Sequence, residues 1–330
     1  MKLYDVAVVG ATGLVGRAMV KVLEERKFPV NRLVLLASER SAGKNILFNG
    51  KPVTVQKLDE RRFKHMEFAL FSAGASVSLE YAPLAVHHGT VVIDNSSAFR
   101  MDEKIPLVVP EVNRKQLSKH KGIIANPNCS TIQLVVVLKP LHDVFVIKRV
   151  VVSTYQSVTG AGKRGVDQLI KELANTPVTD RKFPHPIAYN ALPHIDAFSD
   201  DGYTKEEWKM MKETSKIMGE NIKLTATTVR IPVMGGHSES VNIEFKKKCS
   251  PELVREILSS APGVVVQDDP LNNLYPMPIM SGDRDEVFVG RIRKDGTVKN
   301  GINLWIVADN IRKGAATNAV QIAEALISRT

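Results

Sequence analysis

"YDVAVVGATGLVGRAMVKVLEER", residues 4–26, decides how the chain begins to fold. A near-continuous apolar run ends at Gly10, as a strand buried on both faces of a parallel sheet requires. Residues 14–26 then carry apolar side chains at helical spacing. Between them lies Gly10-x-x-Gly13-x-x-Gly16. Gly10 permits a tight turn, Gly13 lets backbone N–H groups approach a pyrophosphate, and Gly16 lets helix and strand pack closely. Strand, glycine turn and helix together form a dinucleotide-binding pattern.

The same alternation continues outward. Strands are expected at 32–38, 68–74, 89–97 and 122–128, with helices near 76–87 and 131–141. That order implies a doubly wound parallel sheet of Rossmann type. The pattern then changes. Strands at 148–158, 223–233, 239–245, 285–293 and 301–309 alternate with helices at 162–175, 204–219 and 250–260, and a Pro-rich loop covers 176–195. This reads as an α+β domain with a mixed sheet. A last helix, 311–329, is expected to pack back on the first domain. The expected fold is therefore α/β: a nucleotide-binding domain over 1–127, a catalytic and dimerisation domain over 128–310, and a returning segment over 311–330.

Composition narrows the function. The 330 residues carry a net charge of +10, but the charge is scattered. "KKK" (246–248) lacks the interleaved aromatics of a strand-binding groove, so no nucleic-acid partner is expected. No apolar run approaches the roughly 18 residues of a membrane span. "MKLYDVAVVGATG" enters a strand directly, without a signal or transit pattern, and a cytoplasmic protein is expected. Two cysteines, Cys129 and Cys249, are too few for a disulfide framework or a thiolate zinc site, and no metal is expected.

The second strand ends in "ASERSAGK" (37–44). Arg40, Ser38 and Ser41 suit a 2′-phosphate and hence NADP, whereas the carboxylate of Glu39 would suit a free ribose. Cys129 and Cys249 each precede a helix, whose N-terminus favours a thiolate. Three lysines adjoin Cys249, so local electrostatics do not rank the two. Among eight histidines, His237 in "MGGHSES" stands beside glycines at a strand start, where a substrate could approach.

Eight segments, in order along the whole chain, resemble the aspartate-β-semialdehyde dehydrogenase family: "GATGLVG", "SSAFR" (96–100), "VVPEVN" (108–113), "NPNCST" (126–131), "TYQSVTGAG" (154–162), "ETSK" (213–216), "RIPVMGGH" (230–237) and "ADNIRKGAATNAV" (308–320). The resemblance implies NADP-dependent reductive dephosphorylation of β-aspartyl phosphate to aspartate semialdehyde, in the biosynthesis of lysine, threonine, methionine and isoleucine. It makes Cys129 the nucleophile that forms an acyl-thioester, His237 the acid/base and Gln156 the residue that orients substrate. Arg230 would clamp the α-carboxylate and Glu213 the ammonium, while Lys216 and Arg100 hold phosphate beside Asn128.

For the cofactor, Gly10 makes the turn, and the resemblance assigns Thr12, Gly13, Leu14 and Val15 to the pyrophosphate, and Arg40 and Ser41 to the 2′-phosphate. Ala73 and Gly74 would line the adenosine, and Thr159, Gly160 and Asn310 the nicotinamide. A homodimer is implied, with a homotetramer left open. The alternatives are an N-acetyl-glutamyl-phosphate reductase, whose nucleophile would stand in P-G-C-Y rather than "NPNCST", and a non-catalytic NADP-binding paralogue, which would lack the cysteine or the histidine.

Overall fold

The computed structural model describes residues 2–328; Met1 and residues 329–330, which the expected first domain and returning segment include, lie outside the described residues. The chain divides into two compact units. One runs to Asn128 and takes the chain back from Ala315; the other is Cys129–Gly314. The return begins later than residue 311 because Asp309 accepts the N–H groups of Ile311 and Arg312, and the Arg312 guanidinium pairs with Asp285 at 2.8 Å. Those contacts hold the approach to the last helix within the second unit.

The first unit contains β1 (Tyr4–Val9), α1 (Leu14–Glu25), β2 (Val30–Ala37), β3 (Asn45–Phe48), β4 (Lys51–Lys57), β5 (Phe68–Phe71), α2 (Ala75–His87), β6 (Val91–Asp94), the single turn α3 (Pro110–Asn113) and β7 (Ile123–Ala125). Its seven-stranded sheet has the order β3-β4-β2-β1-β5-β6-β7. Six strands are parallel and β3 is antiparallel to β4. The sequence reading contained neither β3 nor β4. Asn49 and Gly50 connect them with φ of 50° and 72°, the left-handed pair of a tight hairpin turn. "FNGK" (48–51) was the legible signal for it.

Val6 and Val8 join the core made by α1 and the C-terminal helix (Thr317–Ile327), while Ala7 and Val9 are buried on the other face. The sheet is thus covered on both sides, which is why β1 reads as an unbroken apolar run. Arg26 and Glu324 join α1 to the C-terminal helix through two hydrogen bonds of 2.9 and 2.7 Å. Asn318 donates to Val108 and Asn126, which fixes that helix at the end of β7.

The second unit contains α4 (Cys129–Phe145), β8 (Ile147–Gln156), α5 (Lys163–Leu173), α6 (Lys205–Met218), β9 (Leu224–Arg230), β10 (His237–Phe245), α7 (Pro251–Ser259), β11 (Val264–Val266), the single turn α8 (Pro278–Ser281), β12 (Val287–Asp295) and β13 (Gly301–Ala308). The mixed sheet has the order β11-β12-β13-β10-β8-β9. β8 and β9 are parallel, and β10 is antiparallel to both β8 and β13. Three strand ends and one strand start therefore meet at one edge: Gln156 pairs with Arg230, and His237 pairs with Ala308. α4 passes through Val146 alone into β8, so it runs back across the sheet and its first residue, Cys129, overlies that edge.

Candidate active site

This sheet edge gathers most of the chemistry expected from sequence. His237 is fully buried. Its Nδ1 accepts the Ser157 N–H at 3.1 Å, so the proton of the neutral ring sits on Nε2. Nε2 is buried without a hydrogen-bond partner among the described residues. Burial, and then the nearby Arg230 charge, push His237 down to about 3. It is a neutral imidazole at physiological pH, presenting an N–H.

Arg230 is buried at the end of β9, and burial lowers its pKa. Its Nη1 donates to the Ser157 carbonyl at 2.6 Å, while Nε lacks a partner among the described residues. Phe183 lies under the guanidinium at 5.9 Å. The Pro-rich loop thus has a structural task. Leu192 exchanges both backbone hydrogen bonds with Arg230, and Gln168 and Glu172 of α5 accept the loop N–H groups of Lys182, Phe183, Ile187 and Ala188.

Cys129 is the first residue of α4 and half-buried, and it lies close enough to Arg230 for an ionised thiol there to favour the guanidinium charge. Arg230 therefore faces both the thiol and the imidazole. Gly160 lines the same space. A Cβ there would stand 2.9 Å from Arg230 Nη1 and 3.1 Å from His237 Nε2, so the site needs a residue without a side chain. Gly314 does the same for Cys129, because a Cβ there would lie 2.9 Å from that of the cysteine. Cys249 is half-buried too, but burial pushes its thiol up.

α6 brings Glu206, rather than the expected Glu213, to this sheet edge. Thr204 and Glu207 form a reciprocal cap at its start, and Glu207 also accepts the Thr228 N–H from β9. That cap sets Glu206 at the sheet edge. Gln156 Nε2 donates to Glu206 Oε1 at 3.3 Å, and the Glu206 charge supports that of Arg230. Lys209, one turn on, donates to Glu206 at 3.2 Å and to Asp196 at 2.7 Å. Glu213 and Lys216 have the same spacing but sit two turns further along α6, roughly 10 Å back from the edge at 1.5 Å per residue. The edge positions expected of Glu213 and Lys216 belong to Glu206 and Lys209.

Asn310 Oδ1 accepts from Ser157 Oγ at 3.2 Å and Thr159 Oγ1 at 3.1 Å. In the first unit, Arg100 is buried, with Nε and Nη2 donating to the carbonyls of Asn126 and Asn95. Asn128 is buried at that unit's end.

The glycine turn of the first unit fits a dinucleotide. Gly10 has φ of 82°, and a Cβ there would meet the Ser72 carbonyl at 2.7 Å. A Cβ on Gly16 would lie 2.2 Å from the Gly10 carbonyl, the close packing of helix on strand that the sequence implied. α1 starts at Gly13 without a side-chain cap, so the first N–H groups, at Leu14 and Val15, are left for an anion. Thr12 Oγ1 donates to Ser41 Oγ at 3.3 Å, joining the turn to the loop that carries Ser38 and Arg40. Glu39 pairs with Lys57 at 2.9 Å, and Arg40 beside it is exposed. Ala73 and Gly74, φ 92°, lead into α2 beside the glycine turn, with the Ala73 nitrogen against Gly10.

Residues 5–120 match the family model described as semialdehyde dehydrogenase, NAD binding domain, and residues 138–313 that described as semialdehyde dehydrogenase, dimerisation domain. The chain is 62% identical over 333 residues to an aspartate-semialdehyde dehydrogenase of Aquifex aeolicus, covering 98% of each chain. The chain belongs to the aspartate-semialdehyde dehydrogenase family. The Bacillus subtilis aspartate-semialdehyde dehydrogenase is 52% identical over 97% of this chain and 96% of its own. A crystal structure of aspartate semialdehyde dehydrogenase II from Vibrio cholerae, complexed with ASA, superposes with a TM-score of 0.96 at 49% identity over 99% of each chain. One from Candida albicans with NADP superposes at 0.79, with 25% identity and 99% coverage of each.

Sequence reasoning missed several residues that meet at this sheet edge. Ser157, which anchors His237 and Arg230 through its backbone, carries no signal because its main chain does the work. Glu206 and Lys209 were findable, since "TKEE" (204–207) is a helix cap and places both in the first turns.

Proposed function

We propose that this chain reduces β-aspartyl phosphate to aspartate semialdehyde and phosphate with NADPH, as an enzyme of lysine, threonine, methionine and isoleucine biosynthesis. One observation carries the reading: a single buried guanidinium, Arg230, acts on both Cys129 and His237 at one sheet edge. The helix N-terminus and this charge favour the Cys129 thiolate. The thiolate adds to the acyl carbon, the carbon–oxygen bond to phosphate breaks, and an acyl-thioester remains on Cys129. NADPH, when bound, supplies the hydride that reduces the thioester. The carbon–sulfur bond then breaks, returning the thiolate and releasing the semialdehyde.

His237 enters as a neutral donor. Its Nε2–H hydrogen-bonds the carbonyl oxygen as charge develops there, and this is the starting form of its acid/base role. Arg230, with its unpartnered Nε, binds the substrate carboxylate. Glu206 takes the ammonium and steadies Gln156, while Lys209 and Arg100 are the phosphate cations, with Asn128 beside the nucleophile. Gly10, Thr12, Gly13, Leu14 and Val15 hold the pyrophosphate, and Ser38, Arg40 and Ser41 the 2′-phosphate. Ala73 and Gly74 line the adenosine. Thr159, Gly160 and Asn310 serve the nicotinamide. The expected domain limits, 1–127 for the cofactor and 128–310 for catalysis, are part of the same reading.

The dimerisation-domain match supports an oligomer, and we take it to be a homodimer. A cavity of about 310 Å³ on the second sheet, lined by Tyr275, Met277, Leu304 and Trp305, gives apolar surface for association. Among the described residues no helix is long and apolar enough to cross a membrane, and a cytoplasmic location is proposed.

The assay is phosphate-dependent NADP reduction, with aspartate semialdehyde set against N-acetylglutamate semialdehyde. Activity with the first is expected to exceed that with the second by at least about 100-fold. Cys129→Ala should abolish it and Cys249→Ala should leave it within about twofold. Preference for the N-acetyl substrate, or loss only in Cys249→Ala, would overturn the reading.

A further inference from the structure

Glu239 is a fully buried carboxyl that the reaction as described does not use. It lies two residues beyond His237 on β10, hence on the same face of the sheet. Its cross-strand neighbours are Thr154 and Ile306. α4 covers that face, and Gln133, one turn after Cys129 on the same side of the helix, reaches the Glu239 head group. Gln133 Nε2 donates to the His237 carbonyl at 3.3 Å.

Three oxygens here lack hydrogen-bond partners among the described residues: Gln133 Oε1 and both oxygens of Glu239. The Gln133 amide beside Glu239 favours a carboxylate, but an ionised Glu239 gives Gln133 Oε1 no donor, whereas a carboxylic acid supplies the missing O–H. Independently, burial raises the Glu239 pKa well above the ordinary carboxyl value. The rest of the α4 contact is mainly apolar, with Ile132, Leu134, Val135, Val136, Val137 and Leu138 all buried. Such a surface sets no unique register, and a single polar tie can.

We propose that Glu239 is a positioning residue for the reaction: as a buried, neutral carboxylic acid it hydrogen-bonds Gln133, which ties the nucleophile-bearing turn of α4 to the backbone of His237. The inference rests on the Cys129–His237 reading of the site. Its role is to hold the sulfur and the imidazole N–H at the same reacting carbonyl.

The test compares Glu239→Gln, which is neutral, similar in shape and still a donor, with Glu239→Leu and Gln133→Leu. Glu239→Gln should keep kcat within about threefold. Each leucine variant should lose roughly 10- to 100-fold in kcat, the scale of a misplaced reacting group, with KM moving far less and the thermal midpoint shifting by only a few degrees. Full kcat in Glu239→Leu would overturn the proposal, and so would equal damage in Glu239→Gln, which would mean that the ionised group is needed. If the leucine variants do not fold, the infrared difference between wild type and Glu239→Gln decides. A protonated-acid carbonyl band is expected at neutral pH, and a carboxylate band contradicts the tie. Activity surviving in Cys129→Ala would defeat the reading of the site itself, whatever the Glu239 series shows.

Discussion

Cys129 and Cys249 both stand at the start of a helix, and both are half-buried. Only one has company. At Cys249 the neighbouring Ser250 caps α7 by accepting the Leu253 N–H, so the helix end is already satisfied. Burial pushes that thiol up, and Lys294 offsets it only in part. At Cys129 a buried guanidinium from the end of β9 faces the thiol, and glycines at 160 and 314 keep the surrounding space open. The three lysines beside Cys249 looked equally favourable in sequence, but they are solvated surface charge. A helix start makes a thiolate possible, and the tertiary environment decides whether one forms.

The comparison can be broken most forcefully at Gly160. Its backbone is not left-handed, so Gly160→Ala should fold normally while driving Arg230 and His237 apart. A loss of about 100-fold in kcat/KM is expected from steady-state kinetics, with the reactivity of Cys129 falling toward that of Cys249. Wild-type kinetics in this variant would mean that the crowding around Arg230 has no role.

A smaller effect concerns the charge of His237. Were it protonated at neutral pH, a second cation would favour Cys129, and Arg230 would not be the deciding group. Burial holds His237 at about 3, against an ordinary 6.5. Between those values the unfolded chain binds a proton that the native chain does not. The stability due to neutral His237 is therefore fully present above pH 6.5 and is lost as pH falls toward 3. Thermal midpoints of wild type and His237→Gln should diverge by a few degrees as pH falls through that window. Parallel curves would show that His237 titrates normally.

Much of the architecture was legible because it repeats a simple rule. Apolar runs bounded by glycine gave the parallel strands, and Gly10, Gly13 and Gly16 gave the turn. The β3–β4 hairpin was not read, although Asn49–Gly50 signals it, because β3 is a four-residue edge strand and β4 buries only Val55 fully, so neither gives an apolar run. At the site, the residues set by strand ends were legible: Gln156, Arg230 and His237 converge as their motifs implied. Glu213 and Lys216 were misplaced by two helical turns because spacing alone cannot tell which turn of α6 meets the sheet edge. The Thr204–Glu207 cap settles it. Glu239 gave no signal, since one acidic residue in an alternating strand reads as solvent-facing until α4 is seen to cover it.

Alkylation of the two cysteines in the same chain tests the central claim most directly. Native protein is treated briefly with iodoacetamide across a pH series, and each site is quantified by mass spectrometry. Because both thiols are half-buried, access alone does not separate them. At pH 7, Cys129 should react at least about tenfold faster than Cys249, with the advantage shrinking as pH rises and Cys249 ionises. Equal rates at pH 7, or faster modification of Cys249, would contradict the account.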